Sequence, residues 1–280
     1  MWSPYEGIGP SMIVYRSLGK GRKSVVIRNL AGILCVFWVS QVSAASLPDT
    51  IDKVRGSIVS IGLLRPQKNV NFRAKGPAHE YRGTGFVVGN GSYVVTNHHV
   101  VPDNLGEEAN AVLAVFSGRG DRVRGYPAEV VRSDKEHDLA VLKIKQSLPA
   151  LSLAPDRNVR EGEEVIFTGF PIGMVLGMYP VTHRAIVSAV TPIVIPASSA
   201  RQLTAAQIRR MKTPFNIYQL DAVAYPGNSG SPVYDPVSGQ VLGVINSVFV
   251  KGTKEAALSN PSGIAYAIPA RYVAELLPRE

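Results

Sequence analysis

Short apolar runs separated by turn-forming residues recur along most of the chain. Runs that are rich in Val, Ile and aromatic residues and bounded by Gly, Pro, Asn or Asp predict β-strands, so we expect an all-β protein. The first six predicted strands are Ser57–Leu64, Gly83–Val88, Tyr93–Thr96, Ala111–Phe116, Ala128–Val131 and Leu139–Ile144. The second six are Glu164–Thr168, Val181–Val190, Ile217–Leu220, Pro232–Tyr234, Gln240–Val248 and Gly263–Ile268.

Turn chemistry and a polar linker divide these strands into two groups. Asn90-Gly91 separates two apolar runs, as in a hairpin, and Asp235–Gln240 does the same later. The polar stretch Leu153–Glu164 follows the sixth strand. We therefore expect two six-stranded antiparallel β-barrels, the first spanning about residues 55–155 and the second about residues 163–270.

Three segments predict helix instead. Residues 46–56 suit one or two helical turns, and residues 270–280 suit a short C-terminal helix. Leu203–Lys212 has Thr204 and Gln207 at capping-box spacing and a basic end. We expect it to be an exposed helix in an inserted loop, whose place before the last strands allows a regulatory or assembly role.

The first 45 residues predict an export signal. Basic residues through Arg28 precede the apolar run Leu30–Val39, and small residues then suit cleavage after Ala44. An uncleaved membrane anchor is the alternative, but this run is about half of the ~20 residues that a spanning helix needs. We expect a mature domain of residues 46–280, periplasmic or secreted, with no stable membrane span. Because the basic segment is long, translation from Met12 is a further hypothesis.

Charge and cysteine content narrow the function classes. The net charge of +9 falls partly on the signal segment, and the rest of the chain has no long basic run, so nucleic acid is not an expected partner. The only cysteine, Cys35, lies in the apolar run. The mature domain is therefore expected to lack disulfides, thiol catalysis and thiolate metal sites.

The segment "YPGNSGSPV", residues 225–233, carries a candidate nucleophile. A Gly-x-Ser-Gly turn can expose the Ser229 hydroxyl and leave the N–H groups of Gly227 and Ser229 free to bind an oxyanion. A glycine-serine turn without catalytic function is the alternative interpretation of this segment alone.

A serine nucleophile needs a base and a group that orients the base. The segment "TNHHVV", residues 96–101, places two histidines at the end of a predicted strand, and Asp138 stands before an apolar strand. A carboxylate at the edge of a core is costly unless it is paired. By itself Asp138 is equally explained as a strand-start residue; the order His, Asp, Ser favours a catalytic triad.

A metal site at His98-His99 is the competing hypothesis. Adjacent residues in extended chain point to opposite faces, and no zinc-type spacing is present. The remaining histidines, His79, His137 and His183, complete no such set. We therefore expect no metal and no cofactor.

Three segments resemble the trypsin-fold serine peptidases, in particular their HtrA/DegP-like branch. They are "GTGFVVGNGSYVVTNHHVV" (Gly83–Val101), "DLAVLKI" (Asp138–Ile144) and "LDAVAYPGNSGSPV" (Leu220–Val233). The resemblance implies an active site in the cleft between the barrels. It assigns His99, before Val100, as the base, Asp138 as its orienting group and Ser229 as the nucleophile, with His98 a rim residue.

Two departures from the HtrA pattern limit what the resemblance implies. Ser231 stands where that branch usually has a second glycine. No PDZ module follows the second barrel in this sequence, so we expect a protease domain with neither peptide-regulated activation nor chaperone-like caging. The "GNSGSP" wording also occurs in glutamyl endopeptidases, but Asn246 stands where those enzymes have a pocket histidine, so glutamate specificity is not expected.

The same register suggests the specificity pocket. Val223 and Ala224 precede the serine turn and are apolar, whereas Asp221 is expected to be structural. The candidate pocket wall is Ile245, Asn246 and Ser247. Such a pocket would suit a small or medium aliphatic residue before the scissile bond.

The expected function is that of an exported serine endopeptidase, a hydrolase acting on polypeptides, including unfolded or misfolded ones, in envelope protein quality control or processing. An oligomer is compatible with this expectation. The alternative is a catalytically resting or inactive protease fold that acts as a binding or holdase module.

Overall fold

The apolar runs form strands that close into two barrels. The computed structural model describes residues 46–64, 79–102, 111–171, 177–193, 214–246 and 263–278. The strands of the first barrel are β1 (Ile58–Leu64), β2 (His79–Val88), β3 (Tyr93–Thr96), β4 (Val112–Ser117), β5 (Arg124–Asp134) and β6 (Leu139–Ile144). Those of the second are β7 (Glu164–Gly169), β8 (Val181–Pro192), β9 (Asn216–Asp221), β10 (Pro232–Tyr234), β11 (Val241–Asn246) and β12 (Ile264–Pro269).

Both barrels share one strand order and are antiparallel throughout. The first closes as β1-β2-β3-β6-β5-β4 and the second as β7-β8-β9-β12-β11-β10. Each barrel therefore repeats the same connectivity of three sequential strands followed by three strands in reverse order. The predicted fold class, two six-stranded antiparallel barrels, is confirmed.

The observed strands agree with the predicted ones except where a strand is polar. The largest difference is β5, which was expected as Ala128–Val131 and runs from Arg124 to Asp134. Most of its side chains are exposed, so an apolar pattern found only its middle. Its length is set by backbone pairing with β4 and β6 on either side.

Side-chain alternation explains why many strands are apolar on both faces. In β2, Val87 fills the first barrel, whereas Phe86 and Val88 belong to a core shared with residues of the second barrel, such as Ile166 and Tyr234. Successive residues of a strand point to opposite faces, so one face packs inside the barrel and the other between the barrels. The inter-barrel core fixes the cleft in which candidate catalytic residues meet.

Helices are few among the described residues. Helix α1 (Leu47–Arg55) precedes β1, and Asp49 accepts hydrogen bonds from the N–H and hydroxyl of Ser46 at its start. Helix α2 (Ala270–Leu276) follows β12. None of the helices that the structure describes is long and apolar enough to cross a membrane. The predicted signal segment and the predicted Leu203–Lys212 helix lie outside the described residues.

Candidate active site

Asp138 and His99 form a hydrogen-bonded pair in the first barrel. The Nδ1 atom of His99 lies 2.7 Å from Oδ2 of Asp138, and the backbone N–H of His99 donates to Oδ1 at 3.0 Å. Asp138 is 9% exposed, whereas the side chain of His99 is 31% exposed. The carboxylate therefore orients the imidazole from the buried side and leaves its outer edge open to the cleft.

His99 and His98 lie on a 3₁₀ turn (His98–Val100) that follows β3. The Nδ1 atom of His98 lies 2.8 Å from the hydroxyl of Ser133, away from Asp138. The two rings thus have different partners, as expected. The reason expected, alternation along an extended strand, is wrong, because the backbone is helical at this point.

The backbone of Asp138 is held in an unusual conformation. Its φ is +53°, the only positive φ of a non-glycine residue in the described part of the chain. Its carbonyl oxygen accepts hydrogen bonds from Nδ2 of Asn97 at 3.0 Å and from the N–H of His98 at 3.1 Å. Such a conformation costs about 1–3 kcal/mol and persists only where its surroundings impose it.

Asn246, at the end of β11, reaches across from the second barrel to the same carboxylate. Its Nδ2 donates to Oδ2 of Asp138 at 2.7 Å, and the residue is 1% exposed. The neighbouring Ile245 is fully buried in the core of the second barrel. Asn246 therefore faces Asp138 and Ile245 faces the barrel core, so neither side chain forms the predicted pocket wall. Ser247 lies outside the described residues.

Two consecutive tight turns present Ser229. The N–H of Asn228 donates to the carbonyl of Tyr225 at 3.0 Å, and the N–H of Ser231 donates to the carbonyl of Asn228 at 2.9 Å. Gly227 and Gly230 occupy the third position of these turns with φ of +98° and +86°, values that favour glycine.

The turn leaves backbone donors available beside Ser229. Within the described ranges, neither the N–H of Gly227 nor that of Ser229 has a hydrogen-bond acceptor. Ser229 is 6% exposed and Gly227 is half-buried, so the two donors lie at the edge of the protein interior. Two free donors next to a serine hydroxyl are what an oxyanion site requires.

Thr84 connects the serine turn to the first barrel. Its N–H donates to the carbonyl of Ser229 at 2.9 Å, and its hydroxyl donates to the carbonyl of Gly227 at 2.7 Å. The same hydroxyl accepts from the N–H of Phe170 at 2.9 Å, and the Thr84 carbonyl accepts from the hydroxyl of Thr96 at 2.7 Å. Thr84 is fully buried, so this one residue ties β2 and β3 to the serine turn and the end of β7.

Ser229 and His99 are brought to the same cleft without a direct bond. Gly83 packs between Val100, the residue after His99, and the carbonyl of Ser229. A Cβ placed at Gly83 would lie 2.7 Å from the side chain of Val100 and 3.1 Å from the carbonyl oxygen of Ser229. The described atoms form no hydrogen bond between the hydroxyl of Ser229 and the ring of His99. Catalytic hydrogen bonds of this kind often tighten only when substrate binds.

The predicted pocket residues upstream of the turn lie beside it. Val223 and Ala224 are half-buried between β9 and the serine turn, and Ala224 packs against the core of the second barrel. Asp221 is exposed at the end of β9. The described surface upstream of Ser229 is therefore apolar next to the turn.

No metal-binding cluster of three or more His, Cys, Asp or Glu side chains occurs among the described residues. His137 contacts Asp134, and His183 stacks on Phe167 with ring centroids 4.6 Å apart. Burial lowers the pKa of the His183 imidazole. The side chains of His98, His99, His137 and His183 thus have separate environments.

The supporting roles of three residues escaped the sequence-based prediction, in which Asn246 was named only as a candidate pocket-wall residue. Thr84, Asn97 and Asn246 all bind the backbone or carboxylate of predicted site residues. Thr84 and Asn97 lie within the segment Gly83–Val101 that resembles the family, and this resemblance was the only sequence signal for them. Their partners are distant in sequence, so spacing could not reveal their roles.

Comparison with known proteins identifies the family. A family model described as "Trypsin-like peptidase domain" matches residues 83–244. A curated relative from Chlamydia pneumoniae, "Probable periplasmic serine endoprotease DegP-like", is 36% identical over 189 residues, which are 67% of this chain and 32% of the relative. A relative of the same description from Brucella suis biovar 1 is 33% identical over 200 residues, 69% of this chain and 32% of the relative. The chain spans about a third of the length of these curated relatives.

Solved structures show the same fold. "HtrA-type protease AlgW with tripeptide" matches with a TM-score of 0.56 and 24% identity, covering 82% of this chain and 62% of that one. "Rv3671c protease from M. tuberculosis, active form" matches with a TM-score of 0.55 and 23% identity, covering 81% and 82%. The predicted resemblance to the HtrA/DegP-like branch is confirmed by these relatives. The chain belongs to the trypsin-like peptidase family.

Proposed function

We propose that this protein is an exported serine endopeptidase that uses Ser229, His99 and Asp138. The observation that carries the proposal is the buried Asp138 carboxylate 2.7 Å from Nδ1 of His99, in the cleft that also holds the Ser229 turn. A non-catalytic role would not explain why a buried carboxylate orients a partly exposed histidine close to a serine whose neighbouring backbone N–H groups are free.

The proposed reaction begins with attack of Oγ of Ser229 on the peptide carbonyl carbon. As the new C–O bond forms, Nε2 of His99 takes the hydroxyl proton, while Nδ1–H donates to Asp138. The carbonyl π pair moves to its oxygen, which the N–H groups of Gly227 and Ser229 stabilise. His99 then gives its proton to the departing amine nitrogen, and the C–N bond breaks.

The second half of the reaction repeats these roles with water. His99 removes a proton from water as the water oxygen attacks the acyl-enzyme carbonyl. Collapse of the second oxyanion releases the carboxylic acid product and returns the proton from His99 to Oγ of Ser229. Atoms and protons balance with water as the only co-reactant, so the proposal needs no metal or cofactor.

The proposed substrates are polypeptides, including unfolded or misfolded ones, with a small or medium aliphatic residue before the scissile bond. The apolar surface at Val223 and Ala224 supports this preference. Cleavage of a peptide library would contradict it if charged residues dominated at that position.

Export to the periplasm, or secretion, is proposed from two observations. The first 45 residues have the signal-peptide pattern, and the curated relatives are named periplasmic. A role in envelope protein quality control or processing would follow from that location. N-terminal sequencing of the mature protein should find Ala45, the residue after the predicted cleavage site, or a nearby residue first. Mass spectrometry of the precursor would distinguish a start at Met1 from one at Met12.

Substitution of the proposed triad tests the function. Ser229→Ala and His99→Ala should each lower kcat by about 10⁴–10⁶-fold. His98→Ala should keep most of the activity, because among the described residues the His98 ring hydrogen-bonds to Ser133 and the backbone N–H that binds Asp138 is retained. Near-normal proteolysis by Ser229→Ala would refute the mechanism.

A resting protease fold with a binding or holdase role is the second candidate. The absence of a hydrogen bond between Ser229 and His99 in the described atoms favours it. A fluorophosphonate probe separates the two candidates, because a competent Ser229 is labelled rapidly and a resting one is not.

A further inference from the structure

The turn that carries Asp138 contains a second Asp–His pair. The Oδ1 atom of Asp134 accepts the N–H groups of Glu136 at 2.9 Å and His137 at 3.0 Å. Its Oδ2 atom lies 2.6 Å from Nδ1 of His137. The pair therefore closes the turn between β5 and β6 one residue before the catalytic aspartate.

The carboxyl group of Asp134 is adapted to this role. Burial raises its pKa, but the hydrogen bonds from the N–H and ring of His137 outweigh burial and hold the pKa below its ordinary value. The carboxylate thus remains a charged acceptor for the turn across the neutral pH range.

The ring of His137 is enclosed by aromatic side chains of the second half of the chain. It stacks on Tyr272 of α2 with ring centroids 4.0 Å apart and an interplanar angle of 20°. It also contacts Phe215, just before β9, at 4.4 Å and 57°. Phe215 and Tyr272 contact each other edge to face at 5.3 Å. We call Asp134, His137, Phe215 and Tyr272 the His137 clamp.

The His137 clamp adjoins the strained backbone of Asp138. Asp138 follows His137 directly and has the strained φ of +53°. On its far side the Asp138 carbonyl is bound by Asn97 and His98. With the preceding side chain fixed as well, the peptide units on both sides of Asp138 are immobilised, which is the condition under which a strained backbone persists.

We propose that His137 is a positioning residue for the triad. By locking the turn onto Phe215 and Tyr272, it holds the carboxylate of Asp138 at hydrogen-bond distance from Nδ1 of His99. Helix α2 is thereby part of the support of the active site, although it contributes no reacting atom. This proposal rests on the proposed serine-peptidase function.

Loss of the clamp should act on catalysis more than on substrate binding. His137→Ala should lower kcat by about 10–100-fold with KM changed less than about threefold, because displacement of a catalytic group by about 1 Å costs on the order of 10²-fold. Arg132→Ala is the matched control, because Arg132 is exposed on the neighbouring strand β5 and belongs to neither the clamp nor the candidate site; its kcat should stay within about threefold of wild type.

Proton NMR supplies a readout that a merely stabilising residue would not change. The proton in the short bond between His99 and Asp138 should give a far-downfield signal in wild-type protein and in Arg132→Ala. At a temperature well below the Tm of each variant, His137→Ala should shift or lose that signal. Tyr272→Ala should also shift or lose the signal and lower kcat. Tyr272→Phe, which keeps the stacked ring, should retain both the signal and kcat.

Two results would overturn the proposal. One is a wild-type kcat and an unchanged downfield signal in folded His137→Ala; the other is a loss of activity that disappears on cooling, as expected for stability alone. If His137→Ala does not fold, the comparison of Tyr272→Ala with Tyr272→Phe decides by the same criteria. Failure of the protease assignment is separately visible as an active Ser229→Ala, and the NMR signal tests the clamp without requiring turnover.

Discussion

Thr84→Val is the sharpest test of how the serine turn is held. Valine has nearly the shape of threonine but lacks the hydroxyl that donates to the carbonyl of Gly227 and accepts from the N–H of Phe170. Both backbone groups would then lose this partner beside the fully buried residue 84, the N–H of Phe170 in a buried bond and the carbonyl of Gly227 in a part-buried one. The backbone N–H of the new residue would still reach the carbonyl of Ser229, so the substitution isolates the hydroxyl.

The expected magnitude follows from these two bonds. A buried polar group left unpaired costs about 1–3 kcal/mol, so the substitution should destabilise the fold by about 2–6 kcal/mol. For a domain of this size each kcal/mol corresponds to a Tm change of about 2–4 °C. Thr84→Ser, which keeps the hydroxyl and loses one buried methyl group, should cost only about 1 kcal/mol.

Activity should fall further than stability alone explains. The Gly227 carbonyl belongs to the peptide unit between Gly227 and Asn228, which links the two peptide units that carry the N–H groups of Gly227 and Ser229. Without its anchor, this linking peptide can rotate and displace the proposed oxyanion donors. Loss of one oxyanion donor costs about 10²–10³-fold in kcat. Thermal unfolding and kcat, measured for Thr84→Val and Thr84→Ser below both Tm values, test the reasoning. It is refuted if the two variants have equal kcat, because only the hydroxyl distinguishes their contacts with the turn.

Three further predictions use contacts elsewhere in the molecule. Asn246→Ala removes a donor 2.7 Å from the Asp138 carboxylate, and since a bond to a charged group contributes about 1.5–3 kcal/mol, kcat should fall by roughly 10–100-fold; unchanged kinetics would exclude this role. Gly169→Ala would put a Cβ 2.0 Å from Oγ of Ser231, so this substitution should lower Tm and kcat. The double variant Gly169→Ala/Ser231→Gly removes that clash and should recover part of both quantities. No recovery would show that another contact dominates. Burial raises the pKa of Asp235, but the N–H of Ser238 and the Arg157 guanidinium outweigh burial and lower it to about 2 from 3.8. The resulting contribution to stability, which solvent screening reduces for this partly exposed group, is complete above pH 4 and should be lost as pH falls toward 2, so Asp235→Asn should flatten that part of an acid-unfolding curve.

Much of the architecture was predictable because it depends on local pattern. β3, β6 and β10 were predicted at their observed boundaries, since each is a short apolar run between clear turn residues. The polar ends of β5 were not predicted, because backbone pairing with two neighbours rather than side-chain burial maintains them. The strand order of the barrels also depends on pairing, to which the apolar pattern is insensitive.

The site divides in the same way. Chain order and short motifs nominated Asp138, Ser229 and the histidine pair, because each stands beside its own turn or strand, and the family resemblance then selected His99. The roles of Ile245 and Asn246 could not be inferred, since adjacent positions on β11 face the barrel core and the aspartate respectively. Only the packing of one barrel against the other decides which face meets Asp138.

Residue types and their near neighbours were enough to predict the candidate nucleophile, the candidate base and the turn glycines. The same local information predicted that strands would hold these residues. The tertiary structure decided what holds them in place. Thr84 beneath the serine turn, Asn246 on the aspartate and the aromatic rings around His137 all act across separations of roughly 80 residues or more in sequence. Such contacts arise from closure and docking of the two barrels, and those long-range events leave no periodic trace in the order of residues.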